Sequence, residues 1–247
     1  MEHTELFRAL VGSHNYNLNT EQSDYDYKVF VAPTFDDLYG GNLYSKSIIG
    51  ETMDLDVHDI RKTSSLWWKA NVNFLEVLFS REIVFNEEIS QDTKDLINKI
   101  FSMKNEIAKM NVPYLYRACM GMYHTKMKQI HKGTEGTKDL VERFGYDTKQ
   151  ALHVIRILDF IHRFAESEFE DFEYAINYEY GDSFRKMLLD VKNGFYTFEQ
   201  FEEIAKDMYF DVENEYKNKY LNVEPNDKTK QQLTELVKQI VWNELKK

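Results

Sequence analysis

The stretch that decides the fold runs from Leu10 to Pro33 and reads LVGSHNYNLNTEQSDYDYKVFVAP. Apolar residues stop at Gly12-Ser13, a polar segment at residues 14–23 follows, and an apolar run resumes behind two aspartates. The part DYDYKVFVAP alternates aromatic and β-branched residues with others and ends at a proline, which predicts a β-strand. The stretch therefore predicts a glycine turn, a polar loop, and a strand that begins with acids.

A second acidic strand is predicted further along, in ETMDLDVHDIRK at residues 51–62. Apolar and polar residues alternate there with period two, which is typical of a half-buried strand with its polar row on one face. Asp54 and Asp56 share that polar row. Asp59 falls on the opposite parity, and we expect it to cap the helix that follows.

The acids of the two strands suggest a metal site. Asp24 and Asp26 flank Tyr25, and in a strand this spacing puts both carboxylates on one face, where they can hold hard divalent cations. A third carboxylate from the second strand would complete the set, and Asp54 and Asp56 are both candidates. Two metals bridged by carboxylates can clamp a triphosphate and lower the pKa of an attacking hydroxyl.

The turn before the loop suggests a phosphate contact. Gly12 would allow the backbone to approach a ligand closely, and Ser13 offers both a hydroxyl and a backbone N–H. Read alone, however, an Asp-x-Asp after a polar loop is also common turn chemistry, and the acids at 54 and 56 could form the solvated face of an edge strand.

These residues resemble a known family. VGSHNYNLNTEQSDYDY resembles the signature of DNA polymerase β-like nucleotidyltransferases: an apolar residue, Gly-Gly/Ser, a spacer, then Asp-x-Asp/Glu. With DLDVHDIRK, NVNFLEVLFS and GYDTKQALHVIRIL in the same order, the chain is similar to the RNA-repair-associated group of that superfamily over residues 10–165. The resemblance implies a metal-dependent enzyme that transfers an NMP from an NTP to an acceptor hydroxyl and releases pyrophosphate.

The resemblance also assigns roles. It implies that Mg²⁺ or Mn²⁺ is the cofactor, that an NTP is the co-substrate, and that Asp24, Asp26 and Asp54 are the catalytic and metal-binding acids. Asp54 precedes the HDIRK-type block as the family's aspartate does, and Asp56 remains the substitute. Gly12 and Ser13 would bind the nucleotide.

A basic stripe completes the expected nucleotide site. On a helix predicted to start near Thr148, Lys149, His153 and Arg156 fall at i, i+4 and i+7 on one face. The resemblance implies that Lys149 contacts the NTP phosphates, with His153 and Arg156 as supporting residues. The alternative is a solvated stripe that pairs with nearby aspartates.

Another stripe lies on PYLYRACMGMYHTKMKQIH, with an apolar face opposite. It is either solvated, which we favour, or a wall for the acceptor; its members are Arg117, Gly121, His124, Lys128 and His131. The pair His58-Asp59 also fits a metal phosphohydrolase, but the other histidines lack the helical spacing that such enzymes need. Asn71 and Glu76 match the family's N-x-N-x-L-E block without an assigned chemistry.

Charge narrows the choice of acceptor. The net charge is -11 and the pI about 5.2, whereas proteins that grip long nucleic acids are usually basic. We therefore expect no extensive duplex binding. An RNA end is the expected acceptor, and a small molecule, a protein side chain, or a non-catalytic nucleotide-binding regulatory module are the alternatives.

The whole chain predicts an α+β protein. Strand and helix patterns mix up to about residue 85, and helical patterns fill the rest, with a capping-box spacing from Thr197 to Gln200. We expect a small mixed-sheet nucleotidyltransferase lobe at residues 1–87 and an all-helical lobe at 88–247 that closes the active-site cleft.

Cysteine and hydropathy patterns indicate the compartment. Cys119 is the single cysteine, so no intramolecular disulfide is possible, which fits a reducing, cytoplasmic location. The amino terminus lacks the pattern of a signal peptide, and no apolar run is long enough for a membrane span, so no membrane partner is expected.

Overall fold

A computed structural model describes residues 3–21 and 23–246 of the chain. By its contacts the chain divides into two compact units. The first unit comprises Met1–Asn111 and Pro225–Lys247, and the second comprises Val112–Glu224. The expected division into functional lobes at residues 87 and 88 stays a prediction.

The described residues form one five-stranded sheet in the first unit, in the order β3-β4-β2-β1-β5. Its strands are β1 (Glu5–Val11), β2 (Tyr25–Val31), β3 (Ser45–Ile48), β4 (Met53–Asp59) and β5 (Ile83–Phe85). The β2–β4 pair is parallel and the other three pairs are antiparallel. The predicted mixed sheet, followed by mostly helical structure, is confirmed.

The helices occupy most of the remaining chain. They are α1 (Gly12–Tyr16), α2 (Phe35–Gly40), α3 (Lys62–Trp68), α4 (Val72–Leu75), α5 (Gln91–Ser102), α6 (Lys104–Ala108), α7 (Val112–Gln129), α8 (Lys138–Phe144), α9 (Thr148–Glu166), α10 (Phe172–Ile176), α11 (Ser183–Lys192), α12 (Phe198–Asp211), α13 (Lys217–Leu221) and α14 (Asp227–Leu245). Two shorter segments have other geometries, a 3-10 turn at Glu76–Phe79 and a π-helical turn at Val212–Tyr216.

The sheet has one apolar and one mixed face, as the alternation in the sequence predicts. Val29, Val31 and Val57 are buried together on one face, with Leu55 and Tyr44 packed against them. Because side chains alternate along a strand, the even-numbered residues of β2 and β4 lie on the opposite face. That face carries Asp26, Asp54 and Asp56, whereas Asp59 lies on the other face.

The C-terminal helix α14 belongs to the first unit although it follows the second in sequence. It packs against α3, α5 and α6, and Asn226 N donates to Met110 O where the chain returns. Thr93 Oγ1 on α5 also donates to Glu244 Oε1 at 2.7 Å. The helical pattern of this segment therefore finds its apolar partner in the unit that holds the sheet.

The second unit is built around α9. Most of its side chains are buried, and α7, α10, α11 and α12 all pack against it. Thr197 accepts from Gln200 N while the Gln200 side chain accepts from Thr197 N, so the predicted capping box is confirmed. No helix in the described part of the chain is both long and apolar enough to cross a membrane.

Two local expectations were wrong. Residues 14–16 belong to the short helix α1 rather than to a loop, because Gly12 and Asn17 both adopt positive φ and close one helical turn between them. Asp59 does not cap α3, whose N-terminal cap position is Arg61. The buried carboxylate of Asp59 instead accepts hydrogen bonds from the Arg61 backbone N–H at 2.9 Å and from the Arg61 guanidinium.

Candidate active site

The sheet brings Asp26 and Asp54 side by side. β2 and β4 are parallel neighbours, and Asp26 is the direct register partner of Asp54. In-register residues of paired strands project to the same face, so the carboxylates of Asp26 and Asp54 lie on one face of the sheet. Both side chains are half-buried, and Asp54 Oδ1 accepts from Gly50 N at 3.2 Å.

Asp24 is placed differently from this pair. It is exposed and immediately precedes β2, which begins at Tyr25. Within residues 3–21 and 23–246, no group of three or more His, Cys, Asp or Glu side chains could by itself hold a metal ion. The predicted set of three acids is therefore present as one adjacent pair and a third acid outside the strand.

The pair nevertheless fits Mg²⁺. This ion prefers oxygen ligands and is usually bound through one or two carboxylates, with water and substrate phosphate completing its coordination. Asp26 and Asp54 supply two such carboxylates on the same sheet face. An all-protein cage of three ligands is not needed for a metal that arrives with a nucleotide.

Gly12 is needed to make room for Asp26. Its φ of +70° lies in the left-handed region, and a Cβ built on it would lie 2.6 Å from Asp26 Oδ2. Any side chain at this position would push the carboxylate away. The expected reason for this glycine was close backbone approach to phosphate, whereas the structure shows close approach to an acid.

The backbone N–H of Gly12 is bound by a buried acid. Gly12 N donates to Glu76 Oε2 at 2.9 Å, and Glu76 is only 3% exposed. Because this backbone N–H is already engaged, Ser13 is the residue of the turn whose N–H and hydroxyl are candidates for phosphate. Glu76 was seen in the sequence only as part of the N-x-N-x-L-E block, since its partner lies 64 residues away.

Asp56 is engaged in a separate network. His58 Nε2 and Lys28 Nζ both lie 2.8 Å from Asp56 Oδ2. The contact with His58 first, and then that with Lys28, hold the pKa of Asp56 well below its usual value, although burial opposes this. Lys28 also lies 4.4 Å from the centre of the Phe74 ring.

This network bears on the choice of the third acid. The Asp56 carboxylate already lies against two basic side chains, one of which, Lys28, carries a positive charge. Asp54, by contrast, faces Asp26 across the parallel pair. Of the two acids, Asp54 is therefore the one that lies beside Asp26, and Asp56 is the one held by basic side chains.

The segment after the glycine turn is folded against the strand. The His14 ring stacks on the Tyr25 ring with centroids 4.1 Å apart, and His14 Nε2 lies 3.1 Å from Ser23 O. Leu18 N donates to Ser13 O at 2.9 Å, which closes the turn of α1. The start of β2, where the acids lie, is thus braced by local contacts.

The basic stripe lies on α9 as predicted, in the second unit. Lys149 is exposed and Arg156 is only 4% exposed. Burial, together with the positive charges of Arg156, Lys126, Lys149 and Lys192, holds the pKa of His153 well below its usual value. Lys126 and Lys192 were not singled out from the sequence because they lie on other helices.

The second stripe is solvated, the alternative that we favour, but α7 ends at Gln129 and His131 lies beyond this helix. Arg117, Gly121, His124, Lys128 and His131 are all exposed. Tyr116, Met120 and Tyr123 are buried on the opposite side. The four members on α7 thus belong to a solvated helix face, whereas His131 Nδ1 lies 3.1 Å from Gly145 O and its ring contacts Phe198.

Comparison with known proteins identifies the family. The family model described as RlaP, the RNA repair pathway DNA polymerase beta family, matches residues 1–237. No curated protein matches the chain. The resemblance seen in four blocks over residues 10–165 is confirmed, and it extends over nearly the whole chain.

Proposed function

The chain belongs to the RNA repair pathway DNA polymerase beta family, and from this premise we propose that it is a metal-dependent nucleotidyltransferase. The reaction is the transfer of an NMP from an NTP to an acceptor hydroxyl. The hydroxyl oxygen bonds to the α-phosphorus, the bond from that phosphorus to the α–β bridging oxygen breaks, and pyrophosphate leaves. The observation that carries the proposal is the in-register pair of Asp26 and Asp54.

The acids have distinct proposed roles. Asp24, Asp26 and Asp54 would hold Mg²⁺ or Mn²⁺, which when bound neutralises charge on the phosphates and lowers the pKa of the attacking hydroxyl. Asp54 is the proposed acceptor of the hydroxyl proton. Asp56 is left out of this set because Lys28 and His58 already occupy its carboxylate.

Other residues position the nucleotide. The Ser13 N–H and hydroxyl are proposed donors to phosphate oxygens, and Gly12 acts by leaving space for the Asp26 carboxylate. Lys149, His153 and Arg156 remain proposed phosphate ligands from α9. Such an enzyme contributes mainly orientation and charge neutralisation, since phosphoryl transfer needs little covalent help from the protein.

An RNA end is the proposed acceptor. The family description places the family in an RNA repair pathway. The net charge of -11 disfavours a protein that follows a long duplex, because each phosphate contact needs a cation. A strand end needs few phosphate contacts, so an acidic protein can bind it through a local basic surface.

The test compares transfer with binding. The protein is incubated with each labelled NTP, Mg²⁺ or Mn²⁺, and short RNAs, and released pyrophosphate and extended RNA are measured. Asp26→Asn should lower transfer at least about a hundredfold, because the carboxylate charge is lost while the shape is kept. Asp36→Asn, an exposed acid on α2, is the matched control and should behave like the wild type.

Two results would oppose the proposal. One is NTP binding without pyrophosphate release for any RNA, small-molecule or protein acceptor, which would indicate a nucleotide-binding regulatory module. The other is an Asp26→Asn variant as active as the Asp36→Asn control. Transfer to a small molecule or a protein, but not to RNA, would keep the reaction and replace the acceptor.

A further inference from the structure

A cationic cluster in the second unit extends beyond the stripe on α9. Lys126 lies on α7 and Lys192 ends α11, and both helices pack against α9. Lys126 Nζ donates to Gln150 Oε1 at 2.8 Å, which ties it to the residue next to Lys149. Burial and, after it, the positive charge of Lys149 lower the pKa of Lys192, which ends a helix packed against α9.

Among the residues that the structure describes, the lysines of this cluster have no carboxylate within 4.0 Å. Elsewhere in the part of the chain that the structure describes, lysines such as Lys186 and Lys206 pair with carboxylates within 4.0 Å. None of Lys126, Lys149 and Lys192 has such a pair among the described residues. Lys126 and Lys192 are half-buried and burial lowers the pKa of each, whereas the buried Lys28 pairs with Asp56 at 2.8 Å.

The nearby acid is committed to other donors. Asp147 is fully buried, and its carboxylate accepts from Thr137 Oγ1 at 2.5 Å and from Gln150 N at 2.9 Å. Burial and then the charge of Arg156 lower the pKa of Lys126. The charge of Asp147 raises this pKa, but the net shift is downward. Asp147 therefore forms no ion pair with Lys126 within 4.0 Å.

His153 adds an unused polar atom to the cluster. Its Nδ1 is buried and has no hydrogen-bond partner among the described residues. A buried polar atom without a partner is costly and is rare in native structures. The positive charges of Lys126 and Lys192 act on His153, and neither lysine has an ion pair in the described part of the chain. We infer that the missing partner is an anion with several oxygens.

We propose that Lys126 and Lys192, together with Lys149, His153 and Arg156, form a binding site for a chain of two or three phosphates. The site takes the triphosphate of an NTP or the pyrophosphate that is released. Cations on three helices suit a ligand whose charges are spread over several groups, and the exposed Lys149 provides access. That the bound phosphates belong to a nucleotide rests on the proposed function. That the site binds a chain of phosphates does not rest on it.

The test measures binding of inorganic triphosphate, pyrophosphate and orthophosphate by calorimetry, in EDTA so that metal plays no part. Triphosphate should bind the wild type most tightly and orthophosphate least. Lys126→Gln/Lys192→Gln should weaken triphosphate binding about a hundredfold, at about tenfold for each lost charged contact. Lys186→Gln/Lys206→Gln removes the same net charge from exposed, paired lysines and should bind like the wild type.

Thermal unfolding shows whether each variant is folded. Lys126→Arg/Lys192→Arg keeps both charges and should bind triphosphate almost as tightly as the wild type. The proposal is overturned if the wild type binds no triphosphate, if orthophosphate binds as tightly, or if the two glutamine variants bind alike. Asp26→Asn/Asp54→Asn should retain triphosphate binding. If binding follows this pattern but no acceptor is ever nucleotidylated, the proposed function fails and the phosphate site stands.

Discussion

At the scale of single residues, the sequence predicted the acids but not what surrounds them. The alternation of DYDY and MDLDV put Asp26 and Asp54 on polar strand faces, and the parallel register makes them neighbours. The contacts of Gly12 with Asp26 and Glu76 could not be read from the sequence, because each joins distant segments. Spacing reports periodicity within an element, and it carries no information on which residue of another element fills a given space.

Gly12→Ala tests the space around Asp26. The new methyl would meet the Asp26 carboxylate, and the left-handed backbone would cost about 1–2 kcal/mol in addition. We expect nucleotidyl transfer to fall about a hundredfold, because a misplacement of about 1 Å has that effect at an active site. Gly121→Ala, where a Cβ meets nothing within 4 Å, is the control and should leave transfer unchanged. Equal activity of the two variants would contradict this role of Gly12.

Asp54→Asn and Asp56→Asn should separate catalysis from stability. Asp54→Asn should lower transfer at least about a hundredfold with little change in the free energy of unfolding. Asp56→Asn should leave transfer within about tenfold but destabilise the fold by about 1–2 kcal/mol, a partly screened loss because Asp56 is 39% exposed. Transfer assays and urea unfolding measure the two effects. If transfer is lost in Asp56→Asn and kept in Asp54→Asn, Asp56 is the catalytic acid.

At the scale of elements, periodicity predicted the long helices and the two acidic strands. β4 and α9 occur where alternation and the i, i+4, i+7 pattern place them. The five-residue helix α1 was missed because it is too short for a period to be seen. It depends instead on the backbone angles of Gly12 and Asn17, which composition alone does not reveal.

α9 also carries a buried acid that should make stability depend on pH. Burial raises the pKa of Asp159 to about 6, although the Tyr178 hydroxyl, which donates to it at 2.8 Å, and Arg163 oppose this. Between about pH 4 and 6 the unfolded chain ionises this group while the folded chain keeps its proton. The free energy of unfolding should therefore fall as the pH rises through this window, by about 3 kcal/mol from this group.

Asp159→Asn isolates that contribution, since the amide oxygen can still accept from Tyr178. Urea unfolding of both proteins at pH 4.5 and pH 7 gives the difference in stability at each pH. The variant should gain relative to the wild type as the pH rises. A difference that does not change with pH would show that Asp159 has an ordinary pKa.

At the scale of the whole molecule, the sequence predicted an α+β protein of this family, and both are confirmed. It did not indicate that α14 packs with the sheet-bearing unit after the chain has built the second unit. An amphipathic pattern shows that a helix has an apolar face, but many faces are chemically alike, and the partner is chosen by shape. For the same reason the sequence did not indicate that Lys126 and Lys192 belong with the basic stripe on α9.

The central claim is that the protein transfers the NMP part of an NTP, which contains the α-phosphate, to an acceptor hydroxyl. The most direct measurement uses matched reactions with α-labelled and γ-labelled NTP in the presence of Mg²⁺ and an RNA with a free end. We predict that the α-label enters the acceptor and that the γ-label appears in pyrophosphate, and that both signals disappear in Asp26→Asn. Transfer of the γ-label to the acceptor, or its release as orthophosphate alone, would contradict the claim.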